Sequence, residues 1–281
     1  MMRDCEMKRN MTNTGLEKHR PNNEEELPVV LLHGTSGQSE DWSRVVEHLA
    51  RHRSVIRPNY FERITGSGPA NGLAISDFAA RVVAAANADG RRRFDLVGYS
   101  LGAVVATFLA AEFPEMVRSL VLVSGFSYGG DPWMKLQFDL WLRLAHTDRV
   151  ALTKLILLSG LSRAFLATFD ESTLDGIIER FVASSDWPVI EQAIRVDLSA
   201  DVREQARKIS AATLLITAKF DQIVPDVYSE ELTYLIPRAK RFEIHSGHLS
   251  FLEKPFDLAS ALLRFYEKPT GRSPVGFPEG D

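Results

Sequence analysis

The heptapeptide LVGYSLG, Leu96–Gly102, sets one serine, Ser100, between Gly98 and Gly102. It follows the apolar run FDLV, Phe94–Val97, and leads into AVVATFLA, Ala103–Ala110. The first run reads as a strand buried on both faces, the second as a helix ended by Pro114. A turn this tight strains the backbone at the serine. Side chains at the flanking positions would strike the adjoining strand and helix, which is why both are glycine. The turn lifts the serine oxygen to a helix N-terminus, where free N–H groups and positive partial charge gather. G-x-S-x-G alone recurs by chance as a packing turn. Between a buried strand and a helix it marks a nucleophile.

Working outward, the same alternation repeats. LPVVLLHG (Leu27–Gly34) is a continuous apolar run closed by a glycine, and SVIRPNY (Ser54–Tyr60) is a second short strand. VRSLVLVSG (Val117–Gly125), ATLLITAKFD (Ala212–Asp221) and KRFEIHSG (Lys240–Gly247) are the fourth, fifth and sixth. Helical spacing runs over Ser39–His52, Ile75–Asp89, about 227–236 and 255–267. Strand alternating with helix predicts an α/β fold, a mostly parallel doubly wound sheet with helices on both faces. Residues 129–205 break the rhythm: they hold no strand-like run but carry helical stretches with Trp133, Phe138, Trp141, Phe165, Phe169, Phe181 and Trp187. They read as a helical lid between the fourth and fifth strands, over a core of 27–128 and 206–267. Residues 1–26 read as a polar, flexible leader and 268–281 as an irregular tail.

Composition bounds the function. A chain of 281 residues needs no disulfides or metals to fold. A net charge of −4 gives no electrostatic reason to expect nucleic acid or an anionic membrane as partner. The longest apolar region, Val150–Phe169, is interrupted by Lys154 and Arg163, which argues against a membrane span. One cysteine, Cys5, permits no internal disulfide, and the N-terminus lacks a signal-peptide core, so a cytoplasmic location is the simplest expectation.

In a doubly wound sheet the active groups gather at the carboxyl ends of the strands. Four candidates end four different strands: His33-Gly34-Thr35, Ser100, Asp221 and His248. A serine hydroxyl needs a base. His248 follows the sixth strand, whereas His245 falls within it, where a packed or surface histidine is ordinary. The base needs an acceptor to fix its tautomer. Asp221 ends the fifth strand. Asp226 lies past Pro225, in the next helix, and the other possible position, after the fourth strand, reads VSGFS and holds no acid. An oxyanion needs two N–H donors. Leu101, after the nucleophile, supplies the first, and Thr35, between Gly34 and Gly37, is the best source of the second.

These residues resemble the α/β-hydrolase superfamily, in its lidded esterase and C–C hydrolase branch. VVLLHG, DW, LVGYSLGA, LVLVSG, ITAKFDQIVP and SGHLSFLEKP match in type and order over about 27–267. The resemblance implies Ser100 as nucleophile, His248 as base, Asp221 as acid, Thr35 and Leu101 as oxyanion donors, and no cofactor or metal. Two stretches depart from the family. The hairpin that usually precedes the LLHG strand is replaced by the polar leader. The turn usually written Asp-x-Arg-Gly-x-Gly-x-Ser reads NYFERITGSG, with Asn59 and Phe61 at the Asp and Arg positions and Gly66 and Gly68 left to form the turn.

The expected activity is hydrolysis of an ester, thioester or similar acyl bond of a hydrophobic small molecule. Elimination, acyl transfer or cyclisation on the same fold is the alternative, and a non-catalytic binding protein a third reading. Phe126, Trp133, Phe138, Trp141, Trp42 and Leu249 are the candidate pocket residues. Monomer and homodimer stay open.

Overall fold

The structure, a computed structural model, describes residues 27–61 and 73–267. The leader, the tail and the turn read at Gly66 and Gly68 lie outside the described residues.

Six strands, β1 (Val29–Leu32), β2 (Val55–Ile56), β3 (Phe94–Tyr99), β4 (Val117–Val123), β5 (Ala212–Ala218) and β6 (Lys240–Ile244), form one sheet in the order β2-β1-β3-β4-β5-β6. Every neighbouring pair is parallel, as the continuous apolar runs require. Alternation sorts each strand's side chains between two cores. Leu96 and Leu120 enter the core built with α2 (Ile75–Ala88) and α3 (Leu101–Glu112). Val97 and Val121 enter the one built with α1 (Ser43–Leu49) and α12 (Pro255–Glu267). The edges are blunted: β2 is two residues long, and β6 carries Lys240, Arg241 and Glu243. At the amino end of β3 the buried Asp95 accepts from Arg53, from Arg118 and, at 2.6 Å, from the Ser119 hydroxyl. That cluster lies at the end of the sheet opposite Ser100.

The chain leaves β1 for one edge and returns on its other side with β3. The crevice of an open parallel sheet lies at the carboxyl ends of the strands where winding reverses. Residues 33–37 and Ser100 follow those two strands directly.

Between β4 and β5 come α4 (Pro132–Thr147), α5 (Arg149–Gly160), α6 (Arg163–Leu166), α7 (Glu171–Ser184) and α8 (Trp187–Ser199). Each starts at a side-chain cap: Asp131, Asp148, Ser162, Asp170 and Asp186 accept from the first-turn amides. An antiparallel bridge between Tyr128 and Asp201 joins the two ends of the insertion, with Gly129 N to Ala200 O at 2.9 Å and Val202 N to Ser127 O at 2.8 Å. The next helix, α9 (Arg203–Lys208), packs against α3 on the core side of that bridge, so the boundary read at 205 falls inside a core helix. α10 (Asp226–Leu235) and α11 (Ser250–Glu253) complete the described fold.

Candidate active site

Ser100 occupies the tip of the turn from β3 to α3 with φ 54° and ψ −121°, a left-sided conformation that costs a non-glycine residue free energy. Its amide donates to Val123 O at 3.0 Å, which pins the tip to β4. A side chain at Gly102 would place a carbon 2.5 Å from His33 O and 2.6 Å from Leu32 O. One at Gly98 would lie 2.2 Å from Gly102 O. These obstacles are backbone atoms and cannot rotate away. Gly98→Ala is therefore expected to cost about 1–3 kcal/mol, read as a lower urea midpoint, with activity lost alongside.

His248, 3% exposed, directs Nδ1 at Asp221 Oδ2 at 2.7 Å. The carboxylate can only accept, so Nδ1 carries the proton and Nε2 is left with its lone pair. The other oxygen of Asp221 accepts from the Ile223 and Val224 amides at 2.9 and 2.8 Å. Tyr99 lays its ring against the imidazole, with centroids 4.9 Å apart. The competitors point elsewhere: the exposed His245 sits 3.3 Å from Lys219 Nζ, and Asp226 is paired with Arg241. The histidine loop is also fastened to the insertion. Glu253 accepts from Ser162 N at 2.7 Å, Ser162 Oγ at 2.6 Å and Gly247 N at 2.9 Å, and Leu249 N donates to Gly160 O at 2.9 Å.

The loop after β1 lies against the serine: a side-chain carbon on Gly34 would be 3.2 Å from Ser100 Cβ. As the first residue of α3, Leu101 has an amide with no acceptor inside its helix. His33 is buried, which lowers its pKa to about 4, so at neutral pH its uncharged ring supports the loop. The Tyr60 hydroxyl holds the His33 carbonyl at 2.5 Å.

Thr35 is anchored from the insertion. Its hydroxyl donates to Asp197 Oδ2 on α8 at 2.6 Å, and Asp197 is fully buried. Burial without a cation drives the Asp197 carboxyl well above the ordinary range, the Thr35 bond opposing only in part. Between the unfolded value of about 4 and the raised folded value, the folded protein holds a proton that the unfolded chain releases, so stability falls by about 1.4 kcal/mol for each pH unit across that window. Asp197→Asn keeps an acceptor for Thr35 and removes that dependence. Because the amide has no proton to lose, the variant's urea midpoint is expected to fall less than that of the wild type between pH 5 and pH 8, whatever the fixed cost of an amide NH₂ at the unpartnered Oδ1 position.

Ser100, His248, Gly34 and Thr35 line one cavity of about 210 Å³. Three of the candidate pocket residues, Phe138, Trp141 and Leu249, are in its wall. The other three are not. Trp133 is 56% exposed, because the buried stripe of α4 runs through Met134, Phe138, Trp141 and Ala145, one position off. Phe126 packs beneath Phe138 in the core, and Trp42 is buried between Tyr99 and Phe251. The wall also holds Ile156 and Leu157, which the sequence does not single out, and Phe181, named above among the insertion's aromatics but not as a pocket residue; Asp41, Asp197 and Glu253 are not singled out either. Asp197 did leave a signal: it continues the apolar stripe of Ile190 and Ile194 in α8.

A family model described as the alpha/beta hydrolase fold matches residues 28–255. The chain is 39% identical to the pyrrolizixenacetamide deacetylase of Xenorhabdus hominickii, over 84% of this chain and 90% of that protein. Among solved structures it is similar to MGS-M2, an α/β hydrolase enzyme from a Medee basin deep-sea metagenome library, with a TM-score of 0.82 at 20% identity over 92% and 96% of the two chains. It is also similar to the enol-lactonase from Burkholderia xenovorans LB400, with a TM-score of 0.74 at 21% identity over 86% and 92%. Sheet order, strand-end turn and family match agree, and the chain belongs to the α/β-hydrolase fold family.

Proposed function

We propose that the protein is a serine hydrolase that removes a small acyl group from a largely apolar molecule through an acyl-enzyme on Ser100. The observation that carries this reading is the 2.7 Å His248–Asp221 pair opening on the same cavity as Ser100. His248 Nε2 takes the hydroxyl proton as Ser100 Oγ bonds to the acyl carbon. The negative charge that moves onto the acyl oxygen meets the amides of Leu101 and Thr35, each such donor being worth roughly 3–4 kcal/mol of barrier. As the tetrahedral intermediate collapses, His248 returns the proton to the departing amine or alkoxide. Water then attacks the acyl-enzyme, losing its proton to His248, and the carboxylic acid leaves as Ser100 recovers its hydrogen.

The apolar wall of Phe138, Trp141, Ile156, Leu157 and Phe181 supports a largely hydrophobic substrate, and these insertion residues form a lid over the serine. The deacetylase name of the Xenorhabdus relative supports a small acyl group, on nitrogen as well as on oxygen. A fluorophosphonate is expected to add once to the intact protein, at Ser100. In labelled water, one solvent oxygen is expected in the released acid. Product formed without solvent oxygen would replace hydrolysis by elimination or acyl transfer.

A further inference from the structure

Asp41 is the one carboxyl among the described residues that line the Ser100 cavity. Its Oδ2 accepts a single hydrogen bond, from the Gln38 amide at 3.1 Å, and lies 2.4 Å from where a side-chain carbon on Gly37 would sit. It is therefore pressed onto the same 34–37 loop that touches Ser100. Among the described residues no Lys or Arg pairs with it, and the charge that acts on it is another acid, Glu40. Partial burial lifts its pKa to about 6, so at neutral pH it is largely ionised in a wall that otherwise combines apolar side chains with hydroxyls and His248. Tyr99 also lines the cavity; its hydroxyl is buried without a hydrogen-bond partner among the described residues and lies in the fields of Asp221 and Asp41.

Among the described residues three acids are buried: Asp197 has only the Thr35 hydroxyl and is driven toward its neutral form, and the other two are compensated within the protein, whereas Asp41 is half-buried. Asp95 has two arginines, and Asp221 has a histidine and two amides. A carboxylate withdrawn from water and left without a cation is costly, and the cost falls when a ligand brings the cation. We propose that Asp41 is a recognition site for a cationic nitrogen, and that the substrate is an acylated amine bearing a second, protonated nitrogen. The cation site stands on the Asp41 geometry alone, while the acyl bond rests on the hydrolase reading above.

The test uses pairs of small amides: the mono-N-acetyl derivatives of straight-chain diamines of two to five carbons, each beside the N-alkylacetamide in which methyl replaces the ammonium. Binding is measured by calorimetry to the full-length Ser100→Ala protein, where turnover does not intrude. In at least one pair the ammonium amide is expected to bind about tenfold tighter or more, the range of a charge-assisted hydrogen bond. Adding Asp41→Asn, with near-UV circular dichroism as the check on folding, is expected to erase that preference. Equal affinities throughout the series, a preference that survives Asp41→Asn, or no binding of either member would overturn the proposal. Wild-type turnover separates the two readings. Acetate release with no charge preference leaves the hydrolase and removes the Asp41 site. A charge preference in binding with no acetate release leaves the site and removes the hydrolase.

Discussion

Replacing Ser100 by alanine is expected to lower kcat on any acyl substrate by about 10⁶-fold, the loss seen when a triad nucleophile is removed. The effect reaches the whole covalent route. Alanine has no oxygen to form the acyl-enzyme, so what remains is the slower attack of water in a site that still has its oxyanion donors. The exchange keeps Cβ and removes only a hydroxyl that makes no hydrogen bond within the turn. The amide bond to Val123 O and the helix start at Leu101 are backbone features and persist. The urea midpoint is therefore expected to stay near that of the wild type, and fluorophosphonate labelling to vanish. A variant that kept more than about a hundredth of the wild-type rate would place the nucleophile elsewhere.

Asp221→Asn is expected to cost about 10⁴-fold in kcat, although the side chains are nearly the same shape. The reason is local. One Asp221 oxygen is committed to the Ile223 and Val224 amides, so in the variant the carbonyl oxygen takes that place. The amide NH₂ is then the group that faces His248 Nδ1. It donates, the ring must accept, and the histidine proton moves to Nε2, where it can no longer take a proton from Ser100. Single-turnover acylation, followed as the first burst of leaving group, is expected to slow as much as steady-state kcat. A loss in KM alone would mean that Asp221 serves binding.

How legible these features are in the sequence follows from where their physics is set. The four inner strands, β1, β3, β4 and β5, could be read because each lies between two layers and is largely apolar. β3 is buried at all six positions. Ser100, Asp221 and His248 could be read because each follows a strand whose end can be located, and the two glycines around Ser100 are forced by the turn. The pocket was harder. In α4 the aromatic residues are close in sequence, and a one-residue offset decides between Trp133 in solvent and Trp141 in the cavity wall. Asp41 and Asp197 were passed over because a carboxyl's environment comes from tertiary packing. One lines the cavity wall, and the other is pushed toward its neutral form by burial in the core.

The bridge between Tyr128 and Asp201 brings the ends of a seventy-residue excursion side by side at a single hem. Such a module can be exchanged in one cut without disturbing the strand order beneath it. Two seams limit the exchange. A donor insertion must present an acceptor where Asp197 holds Thr35, and a helix end that Glu253 can clasp behind His248. Chimaeras that keep both are the ones in which a new substrate range can be grafted onto an old reaction, and those that keep neither will carry a new roof over an idle hearth.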